Sequence, residues 1–331
     1  MKRRLLLSLG TLLLGAEGWA HHGVAAVSVA GPEGPGAAME TTSPLPLSQG
    51  LVFAMAKSEY VPFRTFSFAE PENKSFSSFN MLALGYGASR WLSVYLFQPI
   101  NVKEQDGVGR NVGPGDTNLM LSFAFKYDQG FQLVPEKESL DDLMDWHFSL
   151  WVSSTLPVAS TTVRDDRGAH FAPDMQTGFG SPSPAIGVAV MKQLTGSLTW
   201  LADANYQYFF PHSYPFTRYQ FGGETRLDTA LIYRVYGQGG FRFDLSGELC
   251  GLTLQRDRER SDAGAMESLQ ASGGTILYAG AGARAYFGPV TLALGVKRAV
   301  LKSLNEAPDQ QGSEGLEHLR AALTLSTSTR F

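Results

Sequence analysis

Read in steps of two, much of this chain alternates between apolar and polar side chains. Strand side chains point to opposite faces in turn, so such alternation marks a strand with one apolar and one polar face. In 119–127, Leu119, Leu121, Phe123, Phe125 and Tyr127 share a face opposite Met120, Ser122, Ala124 and Lys126. In 227–235, Leu227, Leu231, Tyr233 and Val235 oppose Arg226, Asp228 and Arg234. In 241–249, Phe241, Phe243, Leu245 and Leu249 oppose Arg242, Asp244, Ser246 and Glu248. In 277–287, Leu277, a row of alanines and Phe287 oppose Tyr278, Gly280, Gly282, Arg284 and Tyr286. The final stretch, 319–331, puts Leu319, Ala321, Leu323, Leu325 and Phe331 on one face and Arg320, Thr324, Ser326 and Arg330 on the other.

The pattern predicts twelve strands, at 50–60, 77–87, 91–101, 116–127, 145–155, 184–193, 197–209, 224–236, 240–254, 274–287, 289–301 and 317–331. Each is near or above the roughly 9–11 residues that a tilted strand needs to cross a bilayer core. The first two segments and 184–193 alternate less clearly, and their register stays open. Long and short connections take turns. The stretches 61–76, 102–115, 156–183, 210–223, 255–273 and 302–316 are long and polar, whereas 88–90, 194–196, 237–239 and 288 are short. Short turns at one end, long loops at the other and an even strand number are the pattern of an outer-membrane barrel. The fold expected is therefore all-β, an antiparallel transmembrane β-barrel of twelve strands. The stretch 128–144 breaks the rule. It falls where a short turn belongs, yet it is long and acidic, and 139–144 could form a short helix.

The N-terminus changes the picture of where this barrel sits. Lys2, Arg3 and Arg4 precede an apolar run over 5–14, and Gly18 and Ala20 are small residues at cleavage-type positions. This reads as a signal peptide over 1–20. Residues 21–48, rich in Gly, Pro, Ala and Ser, read as a disordered tail, leaving 49–331 as the barrel. Removing 1–20 takes away three basic residues and Glu17, moving the formal charge from −4 to −6. That mild acidity gives no case for nucleic acid. The single Cys250 rules out an internal disulfide framework. Charged residues make up 18% of the chain, below the roughly 25% of soluble proteins. Aromatics at segment ends (Trp91, Tyr127, Trp146, Trp200, Tyr208, Phe209, Phe210, Tyr233, Tyr236, Phe287 and Phe331) suit interface girdles.

Two stretches carry a family resemblance. These are 115–127 (GDTNLMLSFAFKY) and 170–190 (HFAPDMQTGFGSPSPAIGVAV), supported by 222–228, 273–288 and the terminal Thr329-Arg330-Phe331. The chain resembles the bacterial outer-membrane transporter-like barrels labelled as meta-pathway phenol-degradation proteins, from about residue 48 onward. The ending also resembles the C-terminal insertion signal of such barrels, with Phe331 as its aromatic. The resemblance implies a barrel of this size in the cell outer membrane. Its partners would be outer-membrane lipid and the barrel-assembly machinery.

In a barrel the inward face carries function, because Arg or Lys facing lipid costs roughly 2–4 kcal/mol at mid-depth. By alternation the inward charges, and so the lumen-lining candidates, are Lys126, Asp203, Arg226, Asp228, Arg234, Arg242, Asp244, Glu248, Arg284, Lys297 and Arg320. They could line a solute path, or they could fill the lumen with mutually neutralising pairs.

Catalysis is not expected. His147 and Ser149 share a face, but that face looks into the lumen, away from a lipid substrate, and no Gly-x-Ser-x-Gly elbow is present. Asp165, Asp166, His170 and Asp174 are acids and imidazoles of an external loop, a setting in which such groups are usually solvated. No cofactor and no metal site are expected, since the only close histidine pair is His21-His22. The function expected is passive passage of a small solute, hydrophobic or aromatic by the family label, with the external loops, above all 156–183, gating or selecting. The rivals are a non-conducting structural or surface-interaction barrel whose loops bind a partner, and a soluble periplasmic all-β binding protein.

Overall fold

The computed structural model describes residues 36–62, 76–105, 109–134, 144–261, 264–305 and 319–330. Twelve long strands form one antiparallel sheet that closes on itself. In chain order they are β1 (Leu51–Pro62), β2 (Phe76–Ser89), β3 (Leu92–Gln105), β4 (Thr117–Tyr127), β5 (Trp146–Leu156) and β6 (Ser183–Gln193). Then follow β7 (Leu198–Gln207), β8 (Glu224–Gln238), β9 (Phe241–Leu254), β10 (Gly274–Phe287), β11 (Val290–Leu304) and β12 (Arg320–Arg330). Neighbours in sequence are neighbours in the wall, and β1 pairs with β12 from Leu51↔Arg330 to Tyr60↔Ala321. Closure removes the unpaired strand edges that would otherwise be unsatisfied in lipid. All twelve predicted segments are strands, with ends shifted by a few residues.

One face of the wall is apolar and exposed. Leu82, Leu84, Leu150, Val152, Ile186, Val188, Leu227, Leu231, Leu245, Leu249, Leu294, Val296 and Leu323 all point outward, among other large apolar side chains. No soluble monomer carries an apolar belt of that extent. At the short-turn end the belt gains aromatic contacts: Trp146 meets Trp200 edge-on at 5.9 Å, and Phe241 meets Phe287 at 5.2 Å. Phe209 does not join a girdle. It is buried among Tyr214, Tyr219 and Phe221 beneath the external loops.

Those loops are built. His212–Ser213, Arg218–Gln220, Arg258–Arg260 and Met266–Ser268 form a second, four-stranded sheet. Tyr219 Oη donates to Asp257 at 2.6 Å. Burial, with that carboxylate beside it, pushes the Tyr219 hydroxyl far above its ordinary value, so it remains a donor. At the opposite end, Phe131–Leu133 folds back onto the end of β4. The helix expected at 139–144 falls mostly on residues outside those described, as do the signal peptide, His21-His22 and Phe331.

Residues 36–48 overturn an expectation. They belong to the stretch read as a disordered tail, yet they lie inside the barrel. Ala38 and Thr41 are fully buried and Leu47 is 1% exposed. The tail composition misled because these residues need no hydrophobic face of their own; the lumen supplies the partners.

Candidate functional site

The lumen has two halves, and its residues can be placed by register. The inner half adjoins the short turns. There the segment 36–48 enters near Ile232 and Arg242, rises to mid-barrel at 40–42, and descends past Ser93 and Gly87 to β1. Its anchor is Glu248, midway along β9. Glu248 Oε1 accepts the N–H of Met39 at 2.5 Å, and Oε2 accepts those of Glu40 and Thr41 at 2.9 and 3.2 Å. Three successive N–H groups converging on one carboxylate make an anion-binding concavity, here built by the inserted segment around a wall residue. Thr42 N donates to Asp203 Oδ2 at 2.6 Å, Arg284 Nη2 donates to the Ala38 carbonyl at 2.7 Å, and Leu47 N donates to Ser93 Oγ at 2.8 Å.

Glu40 then ties the segment to β1 and β11. Its carboxylate takes Lys57 at 2.8 Å and Lys297 at 2.9 Å. Lys297 also reaches Glu59 at 3.2 Å, and Glu59 pairs with Arg320 at 2.8 Å. These five charges form one chain of alternating sign, with every side chain no more than 12% exposed. Buried ion pairs add little over apolar packing when complete, but losing one partner typically costs about 3–5 kcal/mol.

Glycines clear the space. A Cβ on Gly282 would stand 2.4 Å from Met39 Cγ, and one on Gly87 would stand 2.1 Å from the Ser48 carbonyl oxygen. Gly282 therefore packs against the inserted segment, in a row where larger side chains would expel it.

Each of the eleven inward charges named from the sequence sits on the lumen face, but they do not form one array. Asp203, Glu248, Arg284 and Lys297 touch the inserted segment directly. Arg320 acts through Glu59. Arg242 pairs with Asp244 at 2.5 Å and lies over the Tyr286 ring at 4.9 Å. Arg226 pairs with Glu224, two residues before it on the same strand. Asp228 stands opposite Asp203 in register. Arg234 lies near the short-turn end of β8, at the shift in its pairing with β9. Lys126 is on a different wall and pairs with Asp145 at 3.0 Å. His147 and Ser149 are buried on the same inner face, as alternation predicts.

Sequence reasoning missed Glu40, Lys57, Glu59, Lys103 and Glu224. The signal was present: Lys57-x-Glu59 and Glu224-x-Arg226-x-Asp228 each place charges at steps of two on one strand face. In β1 it was hidden because Phe53 and Met55 point inward as well, beside small outward residues.

The outer half differs. Leu47 forms a floor with Phe53, Met55, Met81, Tyr95, Phe97, Met120 and Trp151. Above it lies a cavity with about 840 Å³ of empty space, part of it open to solvent, lined on the apolar side by Phe79, Phe97, Trp151, Phe179 and Phe209. That mix of apolar walls and a few polar groups suits a small-molecule site. The loop between β5 and β6 roofs it, with a short turn at Pro173–Met175 in which Met175 is fully buried. Lys103 Nζ donates to the carbonyls of Asp174 (2.8 Å) and Gln176 (2.5 Å). Asn101 Nδ2 donates to the Thr177 carbonyl and Asn111 Nδ2 to that of Met175, each at 2.8 Å. Asp116 accepts the N–H groups of Ala159 (2.9 Å) and Phe179 (2.6 Å). Asp165 and His170 of the roof serve local structure: Asp165 Oδ1 accepts the N–H groups of Arg167 and Ala169, and His170 Nδ1 lies 3.1 Å from the Thr162 carbonyl.

Among the described residues no group of three or more His, Cys, Asp or Glu side chains could hold a metal ion. No family model matches the chain, and no curated protein matches it in sequence. Solved structures do. An outer membrane channel from Pseudomonas putida F1 superposes with a TM-score of 0.62 at 13% identity, covering 86% of this chain and 97% of that one. More distant are the β domain of a Bordetella autotransporter (TM-score 0.45, 13% identity, 85% and 100% covered) and a toluene transporter of Pseudomonas putida (0.44, 12%, 85% and 90%). What this chain shares with the first of these is the fold, a closed antiparallel barrel.

Proposed function

We propose that the chain is an outer-membrane channel for passive passage of a small, uncharged, largely apolar solute, held closed at rest by its own residues 36–48. The observation that carries this reading is the division of the lumen. A chamber at the loop end, walled on one side by aromatic side chains and open in part to solvent, stands above an inserted segment that occupies the inner half. Structural filler would need no such chamber, and an open porin would have no such segment. The segment is held by hydrogen bonds and ion pairs to the wall, and contacts of that kind can be exchanged for water without unfolding the barrel. The outer-membrane channel of similar fold and the resemblance carried by 115–127 and 170–190 agree with this reading. Its location follows from the apolar belt and the closed barrel.

The test is solute flux into liposomes by the full chain and by a chain lacking residues 21–47. Flux of a neutral solute that rises on deletion supports the reading. The complete ion-pair chain from Lys57 to Arg320 favours a second reading, a barrel kept rigid and closed whose loops do the work; equal, negligible flux from both proteins would select it.

A further inference from the structure

The four-stranded sheet of the external loops has two faces, and its register sorts them. Residues directly opposite one another in an antiparallel pair project to the same side. Tyr219, Glu259 and Glu267 form one row. That row looks inward: Tyr219 is buried in the aromatic cluster beneath the loops, and Leu269, two residues beyond Glu267, packs against the same cluster. The other face looks away from the chamber. It carries Arg258 opposite Gln220 and Ser268, and Arg260 opposite Met266. One further step of the same register sets Arg218 opposite Arg260. Arg256 joins this face through its hydrogen bond to the Gln270 amide oxygen at 2.8 Å.

All four arginines are exposed, and among the described residues no acid shares the face with them. Arg258 Nη2 donates to the Met266 carbonyl at 3.1 Å, whereas the guanidinium groups of Arg218 and Arg260 have neither a hydrogen-bond nor an ion-pair partner. Like charges directly opposite one another destabilise a sheet, and an anion with several oxygens between them removes that repulsion. The face also has a defined height. Gln220 Nε2 donates to Tyr208 Oη at 3.0 Å. Tyr208 continues the lipid-facing side of β7 after Trp200 and Tyr206, since the pairing runs on from Tyr208 N to the Pro184 carbonyl at 2.9 Å. Tyr208 and Phe210 meet edge-on at 5.0 Å and are 36% and 49% exposed. Aromatics at the rim of an apolar belt sit at headgroup level. The arginine face begins at that height, on the outer side of the wall.

We propose that this face docks a phosphorylated lipid headgroup of the outer leaflet. The arginines hold its phosphate oxygens, and Tyr208 and Phe210 lie against the start of its chains. Arginine suits the task because its planar fork meets two phosphate oxygens at once. Two features select this occupant: positive charge that the protein leaves unneutralised, and continuity of the face with the apolar belt. A soluble polyanion would use the first and have no need of the second. The proposal stands apart from the reading of the lumen, and holds for a conducting or a closed barrel.

The experiment titrates lipid A onto the folded full chain in neutral detergent and counts bound lipid by native mass spectrometry. The probes are lipid A with both phosphates, the same lipid with its phosphates removed, and heparin as a soluble polyanion. Wild type binds the phosphorylated lipid about twenty-five-fold more tightly than Arg218→Gln/Arg260→Gln, at about fivefold for each arginine. The dephosphorylated lipid binds both proteins weakly and alike. If the double variant loses its heat-modifiable fold, Arg258→Gln carries the comparison and weakens binding about fivefold. Arg90→Gln/Lys192→Gln removes the same charge at the short-turn end and binds lipid A as wild type does. Equal binding by wild type and the folded arginine variants overturns the site. So does an equal loss in the short-turn variant, or indifference to the phosphates. Heparin bound as tightly as lipid A overturns the choice of occupant and gives the face to soluble polyanions.

Discussion

The two halves of the lumen use opposite chemistry for complementary ends. The inner half is a lattice of charges and backbone groups that fastens one segment of the chain in place, with Glu248 and Glu40 as its two fixed points. The outer half is an aromatic and aliphatic chamber whose charges are turned away from the space and into its roof. Directional, exchangeable contacts suit a part that must release; apolar walls suit a space that must accept many orientations of a small solute. The contrast teaches that inward charges in a barrel need not mark the solute's route. Here several of them hold an inserted segment of the chain.

The largest disturbance expected is Glu248→Ala. Three consecutive N–H groups, two of them buried, lose their acceptor, at about 1–3 kcal/mol each where water does not replace it. Hydrogen exchange at residues 39–41 should accelerate roughly a hundredfold, with the barrel still heat-modifiable. Unchanged protection would mean that the segment is held by something other than this carboxylate. Next is Gly282→Leu, which leaves every charge in place but puts a side chain where Met39 lies. Overpacking of about 1–3 kcal/mol should loosen the same segment to a smaller degree, seen as new protease cutting near residue 40. Intact resistance to the protease would show that the lumen has room to spare.

On the other side of the comparison, Asp116→Ala removes the acceptor for Ala159 and Phe179. Exchange at those two amides should rise about tenfold while residues 39–41 stay protected, because the roof and the inserted segment are separate units. Loss of protection in both would join the two halves into one. The smallest effect belongs to Asp145→Asn. Its pair with Lys126 is at the end of the wall, with the Asp145 side chain 26% exposed, and it touches neither the segment nor the chamber. A change of about 0–1 kcal/mol in unfolding by denaturant is expected.

The wall was legible in the sequence where its two faces differ. In β9, Phe241, Leu245 and Leu249 against Arg242, Asp244 and Glu248 fix the register on sight. Legibility failed where the lumen itself is apolar. In β1 the inward residues include Phe53 and Met55 and the outward ones Val52, Ala54 and Ala56; in β6 Ala185 and Met191 point inward while Ile186 and Val188 point outward. Two apolar faces cancel the alternation, so register was unclear in β1, β2 and β6, which give Phe53, Met55, Met81 and Ala185 to the floor. The inserted segment was illegible for another reason. Residues such as Thr41 and Thr42 are held through backbone N–H groups, which nearly every residue possesses. Their partners lie about 160–210 positions away, beyond any local pattern.

The central claim is that residues 36–48 close an otherwise continuous lumen. Single-channel recording in a planar bilayer tests it most directly, comparing the full chain with one lacking residues 21–47, both checked for heat-modifiable folding. The account predicts a full chain that is silent or opens briefly and a shortened chain with sustained discrete openings. Two folded proteins with the same conductance, open or silent, would contradict it.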